Sequence, residues 1–355
     1  MHQIASFIVK RGLGAADDVD VDMASLKDSL PEWTGLLFGL EFAILLPVIF
    51  WVTYTLSRVY ATLAMIEDEA APTYSRLPSI PIKTESDVVT KDPSAPLFDT
   101  TPITANVCRT ARHLKTFGGF RACFRGFVCM TLSNLVLSLV TCSLMLLLPA
   151  AFKPFCSLAG SLAVAQFMAA WVHIIMTPGS SRSWFKRMPA FGPTMRATSR
   201  AIVLNWAATH ACVAGYTLIR SHMLACSAHH AAAVAAATGV DPATPTPDAR
   251  FVLLDIAMAV VYALVVVPTE VLLARSRASL LPAEEDSIIN FDRSLGGRVT
   301  ETGFVSLVAV WKSVGATAWK RIAKFHMRIF AVAASVLVPV TAMIAMQLYV
   351  LRNMN

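Results

Sequence analysis

The sequence predicts an all-α integral membrane protein with six transmembrane helices, on three observations. Apolar residues make up 55% of the 355-residue chain, and its mean hydropathy is +0.59. Six apolar stretches each exceed the roughly 20 residues that a helix needs to cross about 30 Å of hydrocarbon. These stretches are continuous where a barrel strand would alternate, and lipid leaves no other way to satisfy the backbone.

The first span covers residues 33–63. Its Gly35 and Gly39 let another backbone approach closely, and Pro47 predicts a kink that membrane helices tolerate. The second, third and fourth spans cover 120–149, 156–176 and 201–223, the fifth covers 251–273, and the sixth covers 329–351 with a second kink at Pro339. Ahead of them, residues 1–32 form an acidic tail carrying Asp17, Asp18, Asp20 and Asp22, against the acid-poor character of a transit peptide. Residues 70–102, rich in Pro, Ser, Thr and charge, read as a flexible linker. The run Ala231 to Ala237 reads as an outer loop, short and helical or else disordered. The membrane domain thus occupies 33–352, in three pseudo-repeats at about 33–150, 156–225 and 250–352.

Charge orients the bundle. The loops after the odd spans, with their flanking turns and in-helix charges, hold 23 of the 30 Lys and Arg and 13 of the 23 acids, a net of +10 against −3 elsewhere. Residues 179–200 carry Arg182, Lys186, Arg187, Arg196 and Arg200 without one acid. Such an excess marks the cytosol- or matrix-facing side, so both termini lie together on the opposite side. The formal charge of +7 therefore reflects topology, and nucleic acid is not an expected partner. Seven dispersed cysteines with no CxxC pair argue against a disulfide framework and against a metal site. The Gly-rich phosphate loop, HExxH and Gly-x-Ser-x-Gly are all lacking, so neither an enzyme nor a cofactor is expected.

Two regions 217 residues apart align without a gap. Arg58, Ala61, Leu63 and the acids Glu67, Asp68 and Glu69 match Arg275, Ala278, Leu280 and Glu284, Glu285 and Asp286. Each set ends an odd span and leads through a long loop to a basic amphipathic segment and the next span. Odd helix, inner loop helix and even helix form one unit, and three units make six spans. The middle loop is too short for a comparable loop helix.

Here the chain resembles the mitochondrial carrier family. The fifth span carries Pro268, Glu270 and Arg275 in the order of that family's Pro-x-acid signature, and the second begins after Gly119 with the aromatic-basic-Gly triplet Phe124, Arg125 and Gly126. The departures are Leu273 in place of a base, Trp51 and Thr53 in place of Pro and acid, and Pro178 followed by no acid. Trp319, Lys320 and Arg321 lose the Gly of the triplet, and Tyr216 with Arg220 and Tyr349 with Arg352 lack the acid of the outer motif. The resemblance implies a carrier-like bundle in which Glu270 closes an inner gate. Its usual partner positions, Leu56 and Ser183, are not basic, which leaves Arg275 or Arg182 as alternatives. It also places Arg328 and Ser133 where carriers contact substrate.

Ionisable groups in the bilayer cost about 2.5–3.5 kcal/mol on insertion scales, so they face a cavity or a partner. Glu41, Asp255, Glu270, His173 and His210 are substrate or gate candidates on this ground, beside Asn134 and Asn205, with interhelical hydrogen bonding as the alternative. The expected function is solute transport: a carrier moving a small anion across a mitochondrial membrane, the inner in preference to the outer. The alternative is a carrier-fold scaffold that no longer transports and meets protein partners through its loops. Its partners are otherwise the lipid bilayer and the anion.

Overall fold

A computed structural model describes residues 32–68, 102–179, 183–238, 249–297 and 305–354. The acidic tail up to residue 31, linker residues 69–101 and Arg182 lie outside them. Helix α1 (Glu32–Phe50) passes into a ten-residue π-helix (Trp51–Tyr60) and then α2 (Ala61–Ile66). A 3-10 turn (Ile103–Ala105) precedes α3 (Val107–Thr116), and another (Gly119–Phe124) precedes α4 (Phe127–Leu147). After α5 (Lys153–Ala163), α6 (Ala165–Met176) and a 3-10 stub (Trp184–Arg187) come α7 (Phe191–Thr238), α8 (Ala249–Ala278), α9 (Leu307–Lys312) and α10 (Ala316–Met354). Among the described residues every regular element is helical.

Among the described residues five helices are long and apolar enough to cross a membrane: Gly39–Ile66, Gly119–Leu147, Phe191–Ala228, Arg250–Ala278 and Ala316–Gln347. The expected third span is a pair, α5 and α6, bent by 51°, which makes a sixth if the pair crosses as one. Its break falls at Val164, whose ψ of 8° ends α5. Large apolar side chains such as Leu146 (88% exposed) and Leu264 (71%) stand on the outside of their helices, which water would penalise and hydrocarbon would not. Two loop elements differ from expectation. The basic segment before the sixth span forms only the short α9 and then breaks before α10, and the alanine run after His230 continues α7 unbroken to Thr238.

The chain falls into two compact units. The first joins the elements up to Arg125 with those from Gly315 onward. In it, Pro47 lacks an N–H to donate, and the wider π register begins one turn later, with Ser57 Oγ donating to the Val52 carbonyl five residues back at 3.0 Å. That register brings Tyr54 OH to the Arg125 carbonyl at 2.7 Å and Thr55 Oγ1 to the Cys123 carbonyl at 3.1 Å. Phe124 stacks on Phe50 at 5.7 Å, and the Arg125 guanidinium donates to the Phe117 carbonyl at 3.3 Å. The aromatic and the base of the triplet are therefore clasps on the turn that opens the second span.

The second unit runs from Gly126 to Val314. Gly126 begins α4 with φ +77°, and a Cβ there would lie 2.9 Å from the Trp171 ring. Gly160 lets α5 approach α4 so closely that a Cβ would meet Thr141 Oγ1 at 2.5 Å. Leu273, standing where a carrier has a base, is a core residue beside Ala165, Ala201 and Ile202, so a charge there would be buried in apolar packing. The loop after α8 is tied down by the Ile288 amide donating to the Met176 carbonyl at 2.7 Å and by an ion pair of Glu285 with Arg187.

Candidate functional site

The first unit holds a groove of about 390 Å³ lined by Pro102, Ala105, Thr317, Lys320, Arg321, Lys324 and Arg328. Lys320, Lys324 and Arg328 recur every fourth residue of α10, so at 1.5 Å per residue they rise about 6 Å at each step along one face. The opposite wall is the chain just before α3, reached by Arg328, whose guanidinium donates to the Ala105 carbonyl at 2.7 Å.

Glu67 builds that wall. Its carboxylate, 1% exposed, accepts the amides of Ile103 at 2.7 Å and Thr104 at 2.9 Å together with the Thr104 hydroxyl. Arg321 donates to the Glu67 carbonyl and stands 3.8 Å from its carboxylate. Glu67 is thus engaged by four groups, whereas Lys320 and Lys324 are exposed and have no hydrogen bond or ion pair among the described residues. Among the described residues the exposed lysines of the groove have no acidic partner, and positive charge of that kind concentrates anions.

The expected in-membrane candidates fall elsewhere, mostly onto neighbouring helices. Ser133 is buried and donates to the Cys129 carbonyl of its own helix at 2.7 Å, while Asn134 is exposed on α4. His210 receives the Ser157 hydroxyl at Nε2 (3.1 Å), because its Nδ1–H is committed to the Trp206 carbonyl at 2.9 Å. Trp206 Nε1–H closes the set on Ser157 Oγ at 3.0 Å, which binds α7 to α5. Asp255 on α8 accepts Tyr216 OH at 2.8 Å, and Tyr216 in turn accepts Arg220 at 2.9 Å. Glu41 accepts the Gln347 amide across α1 and α10. The bonds of His210, Asp255 and Glu41 link one helix to another, a type that averages about 0.6 kcal/mol in membranes.

His173, 1% exposed, donates from Nε2 to the Arg277 carbonyl at 3.0 Å, and its Nδ1 has no partner among the described residues. Asn205 Oδ1 accepts Thr209 within α7. Glu270 is half-buried on α8, two residues past Pro268, and makes no hydrogen bond or ion pair among the described residues. Arg275 is not its partner: it is fully buried and donates to Ser313 Oγ at 3.0 Å, fastening α8 to the end of α9. Of the two alternatives only Arg182 remains, outside the described residues.

Sequence reasoning reached Arg328 but missed Lys320 and Lys324 as its companions, although their four-residue spacing is visible in the chain. It read Glu67 only as part of the repeat. Comparison of the chain with protein-family models, with curated proteins and with solved structures finds no match.

Proposed function

We propose that this chain is a multi-pass membrane transporter of a small anion, and that the groove of Lys320, Arg321, Lys324 and Arg328 gathers that anion at the positively charged face. The observation that carries the proposal is the set of three exposed cations on one face of α10, with Glu67 engaged by other donors. A volume of about 390 Å³ suits a metabolite. Glu270 and Pro268 then serve as the inner gate and its hinge, in a carrier-like arrangement of three repeats. The assignment to a mitochondrial membrane rests on the resemblance of those residues and of Phe124, Arg125 and Gly126 to the carrier signatures.

The test is uptake of labelled phosphate, carboxylates and nucleotides into vesicles carrying the purified chain. Replacing Lys320, Lys324 and Arg328 together with Gln is expected to cut uptake by at least about tenfold, at unchanged insertion, from the loss of local anion enrichment. A second reading has its own support, because Ser133, His210, Asp255 and Glu41 all spend their polar atoms on helix contacts. If no anion moves through the intact protein, the non-transporting scaffold is the better reading.

A further inference from the structure

Helix α7 is longer than a membrane requires. At 1.5 Å per residue its 48 residues extend about 72 Å, more than twice the roughly 30 Å of hydrocarbon. Arg220, Ser221 and His222 fall at the end of its apolar run, and Ser227, His229 and His230 follow on the same helix. The C-terminal end of α7 therefore carries polar groups beyond the part that hydrocarbon can cover.

On this end His222 and Cys226 stand one turn apart, both exposed, with Nδ1 and Sγ separated by 3.7 Å. Neither bonds to another element among the described residues, so the pair does not serve helix packing. The separation is close to the bite of a metal ion. Zinc holds a thiolate at about 2.3 Å and an imidazole nitrogen at about 2.0–2.1 Å, which at a tetrahedral angle puts the two donors about 3.5 Å apart. The pair reaches that spacing without a change of rotamer.

Helical register adds donors. At about 100° per residue, His229 and His230 share one sector of about 100° of the helix circumference with His222 and Cys226. Residues 191–240 contain no Asp or Glu, so this sector offers imidazole and thiol in place of carboxylate oxygen. Such a donor set suits zinc and its transition-metal neighbours, whereas magnesium and calcium require oxygen. The absence of a CxxC pair hid the site, because the partner of Cys226 is a histidine four residues earlier.

We propose that His222 and Cys226, with His229 or His230 as the third ligand, bind a borderline divalent transition metal, zinc above all, at the C-terminal end of α7. The metal replaces the thiol proton of Cys226, which passes to solvent, and takes the lone pair of a neutral His222; water fills the fourth position. The inference is independent of transport, since no groove residue takes part.

The full chain, purified without a polyhistidine tag, is titrated with Co2+ and then with Zn2+. A thiolate-to-cobalt charge-transfer band is expected to saturate at one metal per chain and to be displaced by zinc. Cys226→Ser abolishes it, and His222→Ala weakens binding at least about tenfold, since even the loss of a group behind a ligand costs 10–100-fold. Cys108→Ser and Cys142→Ser, which remove the other two exposed thiols, leave the band intact. Circular dichroism of each variant is expected to match the parent, which separates ligation from folding. The site is overturned by a parent protein without the band, by a band that survives Cys226→Ser, or by unchanged affinity in His222→Ala, which would mean that an isolated thiol is responsible. Unchanged affinity in the double variant His229→Ala with His230→Ala overturns the third ligand.

Discussion

Glu67→Gln tests whether the chain segment in front of α3 is held by charge. The carboxylate accepts three hydrogen bonds, two from the backbone amides of Ile103 and Thr104 and one from the Thr104 hydroxyl, in a place where Glu67 is 1% exposed. The substitution preserves shape but turns one acceptor oxygen into an NH2 that faces the Thr104 N–H. The hydroxyl can rotate to accept from that NH2; the backbone amide cannot. A stranded buried donor costs about 1–3 kcal/mol, and the weakened contact with Arg321 adds to it. A local loss of about 2–4 kcal/mol corresponds to roughly thirtyfold to a thousandfold less hydrogen-exchange protection at the Thr104 amide, if opening is local. Exchange followed by mass spectrometry on the reconstituted protein reads this, with α8 amides as the internal reference. Protection at Thr104 within about threefold of the parent would show that the segment is held by packing and that the charge is incidental.

Four further outcomes are expected. Gly126→Ala places a side chain at φ +77° and 2.9 Å from Trp171, so the protein should lose about 1–3 kcal/mol in thermal unfolding while Gly192→Ala, which meets nothing within 4 Å, changes little. Tyr216→Phe removes the hydroxyl between Arg220 and Asp255 and should cost about 1 kcal/mol or less in the same assay; a loss above about 3 kcal/mol would mean that the link is more than helix glue. Burial raises the Asp292 carboxyl, but hydrogen bonds from the Ser294 hydroxyl and the amides of Gly296 and Ser294 hold it below its ordinary value of 3.8. Its folded value being the lower one, the stability it adds is complete above 3.8 and disappears as pH falls through the depressed value, so protection of the Gly296 amide should fade there in the parent and not in Asp292→Asn. Glu270→Gln should abolish anion flux in vesicles with insertion and abundance unchanged; flux equal to that of the parent removes the gate from the proposal.

What was legible in the chain follows from what a period can encode. Continuous apolar runs located the spans, and the break at Val164 was hidden because a bend needs no polar residue when hydrocarbon surrounds it. Gly126 and Phe124 stood out through the resemblance to the carrier triplet, and the positive φ and the stacked ring give physical reasons for them in this chain. The candidate site divides along the same line. Lys320, Lys324 and Arg328 lie on one face by helical arithmetic alone, and Tyr216 with Arg220 do likewise at four residues apart. Their counterparts, Ala105 at 223 residues from Arg328 and Asp255 on the following helix, are set by which faces of which helices meet, and no local spacing carries that. For the same reason Glu67, which accepts three hydrogen bonds at the end of a span, did not stand out in the chain as the in-span carboxylates did. A charge at the end of a span meets backbone donors freed by the turn, which no hydropathy profile distinguishes from a solvated loop acid.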